Sequence, residues 1–156
     1  MMIWCLAAYC GMRPKEIIAA QWDWIIEDGA QPYIELRPRE DSDTKGHDCR
    51  RLPLLPRVLN EMRDLQKSFD YIVPARTKTE RGLLVGRKMN QWLKGHGLKP
   101  HKRKVLYRLR ADFLIRVQRV AGIQAAADAA CHDDINTTRD YYLAAEMFDP
   151  SKVFDE

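Results

Sequence analysis

Apolar positions recur along this chain in two rhythms, one helical and one extended. Residues 2 to 10, Met-Ile-Trp-Cys-Leu-Ala-Ala-Tyr-Cys, are apolar almost throughout and predict a buried helix, which Gly11 is suited to stop. Pro14 fits the first position of a second helix, running through about Gln21. Asp28-Gly29 predicts a turn, and Tyr33-Ile-Glu-Leu-Arg37 alternates with the period of two that a half-buried strand requires. After a polar, charge-rich loop, Arg50-Arg-Leu-Pro-Leu54 predicts a short return strand. Pro53 puts that strand at a sheet edge or near its own end, because proline cannot donate to a ladder.

Pro56 opens a third helix with Val58, Leu59, Met62 and Leu65 along one side. Tyr71-Ile-Val-Pro74 reads as a short extended piece. Residues 85 to 93 predict a helix closed by Gly95-His-Gly97, and residues 104 to about 120 a strongly amphipathic one with Leu106, Leu109, Phe113, Ile115 and Val120 apolar. An alanine-rich helix over 123–131 follows, and Thr137-Thr138 suit the cap of a last one. No internal repeat, low-complexity tract or linker interrupts the pattern. The expected fold is mainly α with a small antiparallel β-sheet, an α+β domain over residues 1–156 with 143–156 as a C-terminal tail.

Composition narrows the class. A chain of 156 residues, 46% hydrophobic and 31% charged, is ordinary for one soluble domain with a real core. No apolar run is long enough to span a membrane, and the apolar opening lacks the basic leader of a secretion signal. Cys5, Cys10, Cys49 and Cys131 show no paired spacing, which argues against a zinc ribbon or a disulfide scaffold and fits a reducing, intracellular setting. Cys131 beside His132 lacks a second pair with ligand spacing, so no metal site is expected. Charge changes the picture most. Between Arg76 and Arg119 stand 14 Lys or Arg against Glu80 and Asp112, while the whole chain carries only +4. Such concentration is the electrostatic footprint of a nucleic-acid binder, although a basic run alone is more commonly a solvated helix face.

Five polar residues add chemistry to that charge: Arg13, Lys45, Arg110, His132 and Tyr141. Guanidinium groups donate in a planar fork and keep their charge, which suits the non-bridging oxygens of a phosphodiester and the charge that grows there during attack. A tyrosine can attack phosphorus, but with a pKa of about 10 it is only about one part in a thousand ionised at neutral pH and needs cationic neighbours. Taken singly, an arginine is usually surface charge, a lysine a loop cation, a histidine structural and a tyrosine a packing anchor. Together the set reads as a phosphate clamp around a nucleophile.

The stretches that carry these residues are Leu6-Ala-Ala-Tyr-Cys-Gly-Met-Arg-Pro-Lys-Glu16, Thr44-Lys-Gly-His-Asp-Cys-Arg-Arg-Leu-Pro-Leu54, Tyr107-Arg-Leu-Arg110 and His132-Asp-Asp-Ile-Asn-Thr-Thr-Arg-Asp-Tyr141. In that order, and over nearly the whole chain, they resemble the active site of the tyrosine recombinases, the phage integrase family. The resemblance implies a site-specific recombinase or integrase catalytic domain that cleaves and rejoins DNA through a 3′-phosphotyrosyl intermediate, with no cofactor. Tyr141, nine residues after His132, would be the nucleophile ahead of its neighbour Tyr142. Lys45, eight residues before Pro53, would be the general acid. Arg13 and Arg110 would hold the phosphate, His132 would hydrogen-bond a non-bridging oxygen or the nucleophile, and Glu16 would support a cation or simply sit on a helix surface. Arg87, Lys88, Lys102, Arg103, Lys104 and Arg108 would contact DNA. The implied partner is double-stranded DNA, with a tetramer on DNA and a monomer when free, and the implied setting is the DNA-associated cytoplasm. The type IB topoisomerases share the chemistry, and the Thr-Thr-x-x-Tyr spacing is the more integrase-like.

Three departures favour an alternative, a degenerate DNA-binding remnant without catalysis. The family's second arginine is usually preceded three residues back by His or Lys, and here that residue is Tyr107, which donates a hydrogen bond but brings no charge. Asp133-Asp134 adds negative charge beside the phosphate site. The chain also begins almost at the first arginine motif, without the family's separate DNA-clamping domain and leading helix. The last residues, with Met147, Phe148, Val153 and Phe154, fit either docking on a neighbouring protomer or packing on their own domain.

Overall fold

The structure is a computed structural model that describes residues 2–27, 32–37, 50–63, 65, 68–99 and 105–130. Its elements are the helices α1 (Met2–Cys10) and α2 (Pro14–Ala19), a 3-10 turn (Trp22–Trp24), the strands β1 (Ile25–Ile26), β2 (Tyr33–Leu36) and β3 (Arg50–Pro53), and the helices α3 (Pro56–Arg63), α4 (Lys78–Gly95) and α5 (Val105–Ala130). It is mostly helical, with one three-stranded antiparallel sheet in the order β1-β2-β3. Two compact units are formed, Met1–Phe113 and Leu114–Glu156.

The register of the sheet follows from its alternation. Ile34 pairs with Leu52 and both are buried, while Glu35 pairs with Arg51 on the other face, where their side chains meet at 3.2 Å. Arg37 reaches the same Glu35 carboxylate at 3.2 Å, and this pair of guanidinium groups holds the Glu35 carboxyl below the usual carboxylate range. Pro53 stands at the end of β3, an edge strand, as a residue without an N–H should. Next to the sheet, Gln21 and Tyr71 form an isolated antiparallel bridge, flanked by Trp22 N–H on the Asp70 carbonyl (2.9 Å) and Ile72 N–H on the Ala20 carbonyl (3.0 Å). The extended piece predicted at Tyr71 is therefore tied to the end of α2.

In the first unit the core gathers Leu6, Ala7 and Cys10 of α1, Met12, Ile17 of α2, Ile34, Leu52 and Leu54 around the sheet, Val58 and Met62 of α3, Val85 and Met89 of α4, and Leu106. Trp4 of α1 stacks on Trp92 of α4 with ring centroids 5.8 Å apart. In the second unit Leu114, Ala126, Ala127 and Ala130 are buried.

Four sequence expectations change. Helix α2 ends at Ala19, before Gln21, because Gln21 is drawn into the bridge. Helix α3 ends at Arg63, so Leu65 falls beyond its apolar side and is 38% exposed. Helix α4 begins seven residues before the predicted Val85, at a reciprocal cap: Thr77 Oγ1 accepts from Glu80 N–H (3.2 Å), and Glu80 accepts from Thr77 N–H (3.1 Å). Val120, placed on the apolar side of α5, is 89% exposed. It stands just before Gly122, whose φ of 87° and ψ of 170° break the helical path in a region open essentially to glycine alone. The turn predicted at Asp28-Gly29 lies outside the described residues.

Gly11 has φ +64°, and a Cβ built there would stand 2.4 Å from the Phe113 ring, whereas Gly86 in α4 has open space on its side. Gly11→Ala is expected to lower unfolding stability by about 2–4 kcal/mol, from left-handed backbone strain plus overpacking. Gly86→Ala should raise it by about 0.5–1 kcal/mol. Urea unfolding checks both, and equal effects at the two sites would contradict the packing described.

Burial pushes the Cys5 thiol up to about 11, with the neighbouring Glu61 carboxylate adding to the rise, and pushes the Cys10 thiol up to about 12. In a Cys49→Ser/Cys131→Ser variant at pH 8, a disulfide reagent should label the native protein at least about a hundredfold more slowly than the urea-unfolded chain. Native labelling at the unfolded rate would contradict it. The folded state keeps these protons longer, so the stability they contribute is intact below about pH 9 and lost as pH rises through about 11–12.

Candidate functional site

Pro14 sets the local geometry of the site. A residue before proline is pushed out of the helical region, and Arg13 accordingly has φ −70° and ψ 151° as the N-cap of α2. An arginine has no acceptor with which to cap the free N–H groups, so the capping runs the other way. Glu16, in the first turn, accepts the Arg13 backbone N–H at 2.6 Å and the Arg13 Nη1 at 2.9 Å. The carboxylate is only 6% exposed while the guanidinium is half-buried, so Glu16 holds the arginine from beneath.

Arg110 comes from the far side of the sequence. It lies on α5, is 5% exposed, and donates from Nη1 to the carbonyl oxygen of Gly11. Phe113, one turn further along α5, lies against the same glycine. The left-handed turn at Gly11 thus serves twice: it ends α1, with Met12 N–H returning to the Leu6 carbonyl at 3.1 Å, and it lets α5 approach the backbone. Gly11 and Arg13 are separated by at most about 7 Å of chain. Arg110 is thus bonded to the backbone two residues before Arg13.

The other predicted positions divide clearly. Tyr107 is 50% exposed, and Arg108 is exposed beside it on α5. Arg87 and Lys88 are exposed on α4. Lys45, in the connection between β2 and β3, lies outside the described residues, as do His132, Tyr141, Lys102, Arg103 and Lys104. Among the described residues no group of three His, Cys, Asp or Glu side chains could hold a metal ion, and no helix is long and apolar enough to cross a membrane.

One arginine of the basic run behaves unlike a surface cation. Arg81 is buried in α4, donating from Nε to the Ile18 carbonyl (2.7 Å) and from Nη1 to the carbonyls of Arg76 (2.8 Å) and Ala75 (3.3 Å). Its guanidinium carbon stands 3.5 Å from the centroid of the Tyr71 ring. Sequence reasoning counted it only as charge. The signal was the four-residue spacing Arg81, Val85, Met89, Leu93, which sets an arginine on the buried stripe of a helix.

No protein-family model matches this sequence, and no curated protein matches it. Among solved structures, the fold is similar to that of XerA recombinase, with a TM-score of 0.61 and 20% sequence identity. The match covers 87% of this chain and 50% of the other, so this chain spans about half the length of that recombinase and shares its fold over that half.

Proposed function

We propose that this chain is the catalytic domain of a tyrosine-type DNA strand transferase, a site-specific recombinase or integrase that cuts and rejoins duplex DNA. The observation that carries the reading is the bond of buried Arg110 to the Gly11 carbonyl, two residues before the Glu16-held Arg13. Two guanidinium groups, forked and permanently charged, suit a phosphodiester. The fold shared with a recombinase supports the same reading.

In this mechanism the two guanidinium groups clamp the non-bridging oxygens of the scissile phosphate. His132 donates a further hydrogen bond there. The Tyr141 oxygen attacks phosphorus as its proton passes to solvent, the bond to the 5′ oxygen breaks, and Lys45 gives that oxygen a proton. The 3′-phosphotyrosyl link conserves the energy of the phosphodiester, and attack by a 5′-hydroxyl reverses the step. Exposed Arg87, Lys88 and Arg108, with Lys102, Arg103 and Lys104, add phosphate contacts along the duplex. The working assembly is a tetramer on DNA formed from monomers. A second reading, a DNA-binding remnant without catalysis, is favoured by Tyr107, which is half exposed and uncharged where a cation would strengthen the clamp.

Covalent trapping separates the two. The protein, without divalent metal, is incubated with a library of nicked duplexes whose cleavage releases a short end and blocks rejoining. The expected result is a detergent-resistant protein–DNA adduct that survives Tyr142→Phe and disappears in Tyr141→Phe. Arg13→Ala and Arg110→Ala should each slow trapping by roughly 10²–10³-fold. Salt-sensitive duplex binding with no adduct would support the remnant.

A further inference from the structure

Arg81 is a buried cation whose partners, among the described residues, are three backbone carbonyls and an aromatic face. A guanidinium cannot shed its charge, and burying it is costly unless its donors are satisfied. Its position therefore has to be explained by what it ties together. The carbonyls belong to two separate pieces of chain: Ile18 lies in the last turn of α2, and Ala75 and Arg76 lie in the segment leading into α4. Tyr71, beneath the guanidinium, belongs to the extended piece that bridges to Gln21.

Helix α2 has six residues, so it is a rod about 9 Å long with Arg13 as its cap. Its last carbonyls have no partners within so short a helix. Apolar packing of Ile17 holds the rod in the core without fixing its rotation, because such contacts are not directional. Glu16 holds Arg13 to the first turn of the same helix. The Arg81–Ile18 bond is directional and comes from outside. It acts on one end of α2, together with the Ile72 N–H bond to the Ala20 carbonyl at the cap, while the Arg110–Gly11 bond acts just ahead of the other end.

We infer that Arg81 is a positioning residue for the phosphate clamp: by holding the C-terminal turn of α2 it sets where the Arg13 guanidinium stands. The planar fork matters, since Nε and Nη1 serve carbonyls on different segments at once while the ring supports the flat face. Lysine, a point charge, cannot reproduce this. The inference rests on the strand-transferase reading for its consequence in catalysis, but the placement of Arg13 can be measured without any reaction.

The test uses the full chain, with arginine guanidinium resonances followed by NMR and Arg13 identified by its loss in Arg13→Lys. Arg81→Lys, Arg81→Met and the milder Tyr71→Leu, which leaves the arginine in place, are compared with Leu93→Ala, a core change in the same helix. Conditions are chosen where each variant is folded. The expected result is that the Arg13 signal moves towards those of surface arginines in the Arg81 variants, moves less in the same direction in Tyr71→Leu, and stays in Leu93→Ala. An unmoved Arg13 signal in the Arg81 variants, or an equal movement in Leu93→Ala, would overturn the inference; if the Arg81 variants do not fold, Tyr71→Leu alone decides in the same way. In a parallel arm at saturating nicked duplex, Arg81→Lys should slow trapping by roughly 10- to 100-fold with duplex affinity unchanged. Loss of affinity with an unchanged trapping rate would count against positioning. A wild-type protein that forms no adduct would count against strand transfer, and the NMR result on Arg81 would stand on its own.

Discussion

The bond from the Arg110 guanidinium to the Gly11 carbonyl is the contact on which this molecule's arrangement turns. It joins residues 99 positions apart and closes the chain around almost the whole first unit. Ordering so long a loop costs conformational entropy, which grows only slowly with length and is offset by the apolar contacts made alongside. Leu106 and Leu109 supply those contacts from the same helix, and Phe113 lies on the glycine itself. A side chain at position 11 would displace Phe113 and strain the turn, so the approach of α5 depends on glycine there.

That contact also decides the electrostatics. A carbonyl satisfies a guanidinium donor and fixes its direction without cancelling the charge. Glu16 does otherwise for Arg13, offsetting charge while locking the side chain to the first turn of α2. Each guanidinium keeps its own charge in a partly desolvated setting, where an anion is attracted more strongly than at an open surface. Arg81 applies the same carbonyl strategy at the other end of α2. The turn that carries Arg13 is thus held by arginines before and behind.

Much of this architecture is legible in the sequence where one local cause dominates. Gly11 and Pro14 punctuate α1 and α2, and the alternation Tyr33-Ile-Glu-Leu36 finds its partner in Arg50–Pro53 with the buried and exposed faces in register. The start of α4 is obscured because Arg81 interrupts an apolar stripe, while Thr77 and Glu80, the true signal, are polar and easily taken for loop. Val120 fits a helical period until Gly122 ends the path on which that period depends. In the candidate site, Arg13 and Arg110 are visible as residue types in a motif. Arg110 is anchored on a backbone carbonyl, which has no residue type of its own, and Arg81 is hidden for the same reason.

Arg13 and Arg110 are proposed to bind one phosphate between them. Diffraction from crystals soaked in tungstate tests it most directly, since the ion resembles phosphate and reveals itself by anomalous scattering. The expected result is a peak whose oxygens stand about 3 Å from donors of both guanidinium groups. Tungstate bound along the basic surface of α4, with none at the Gly11 junction, would contradict it.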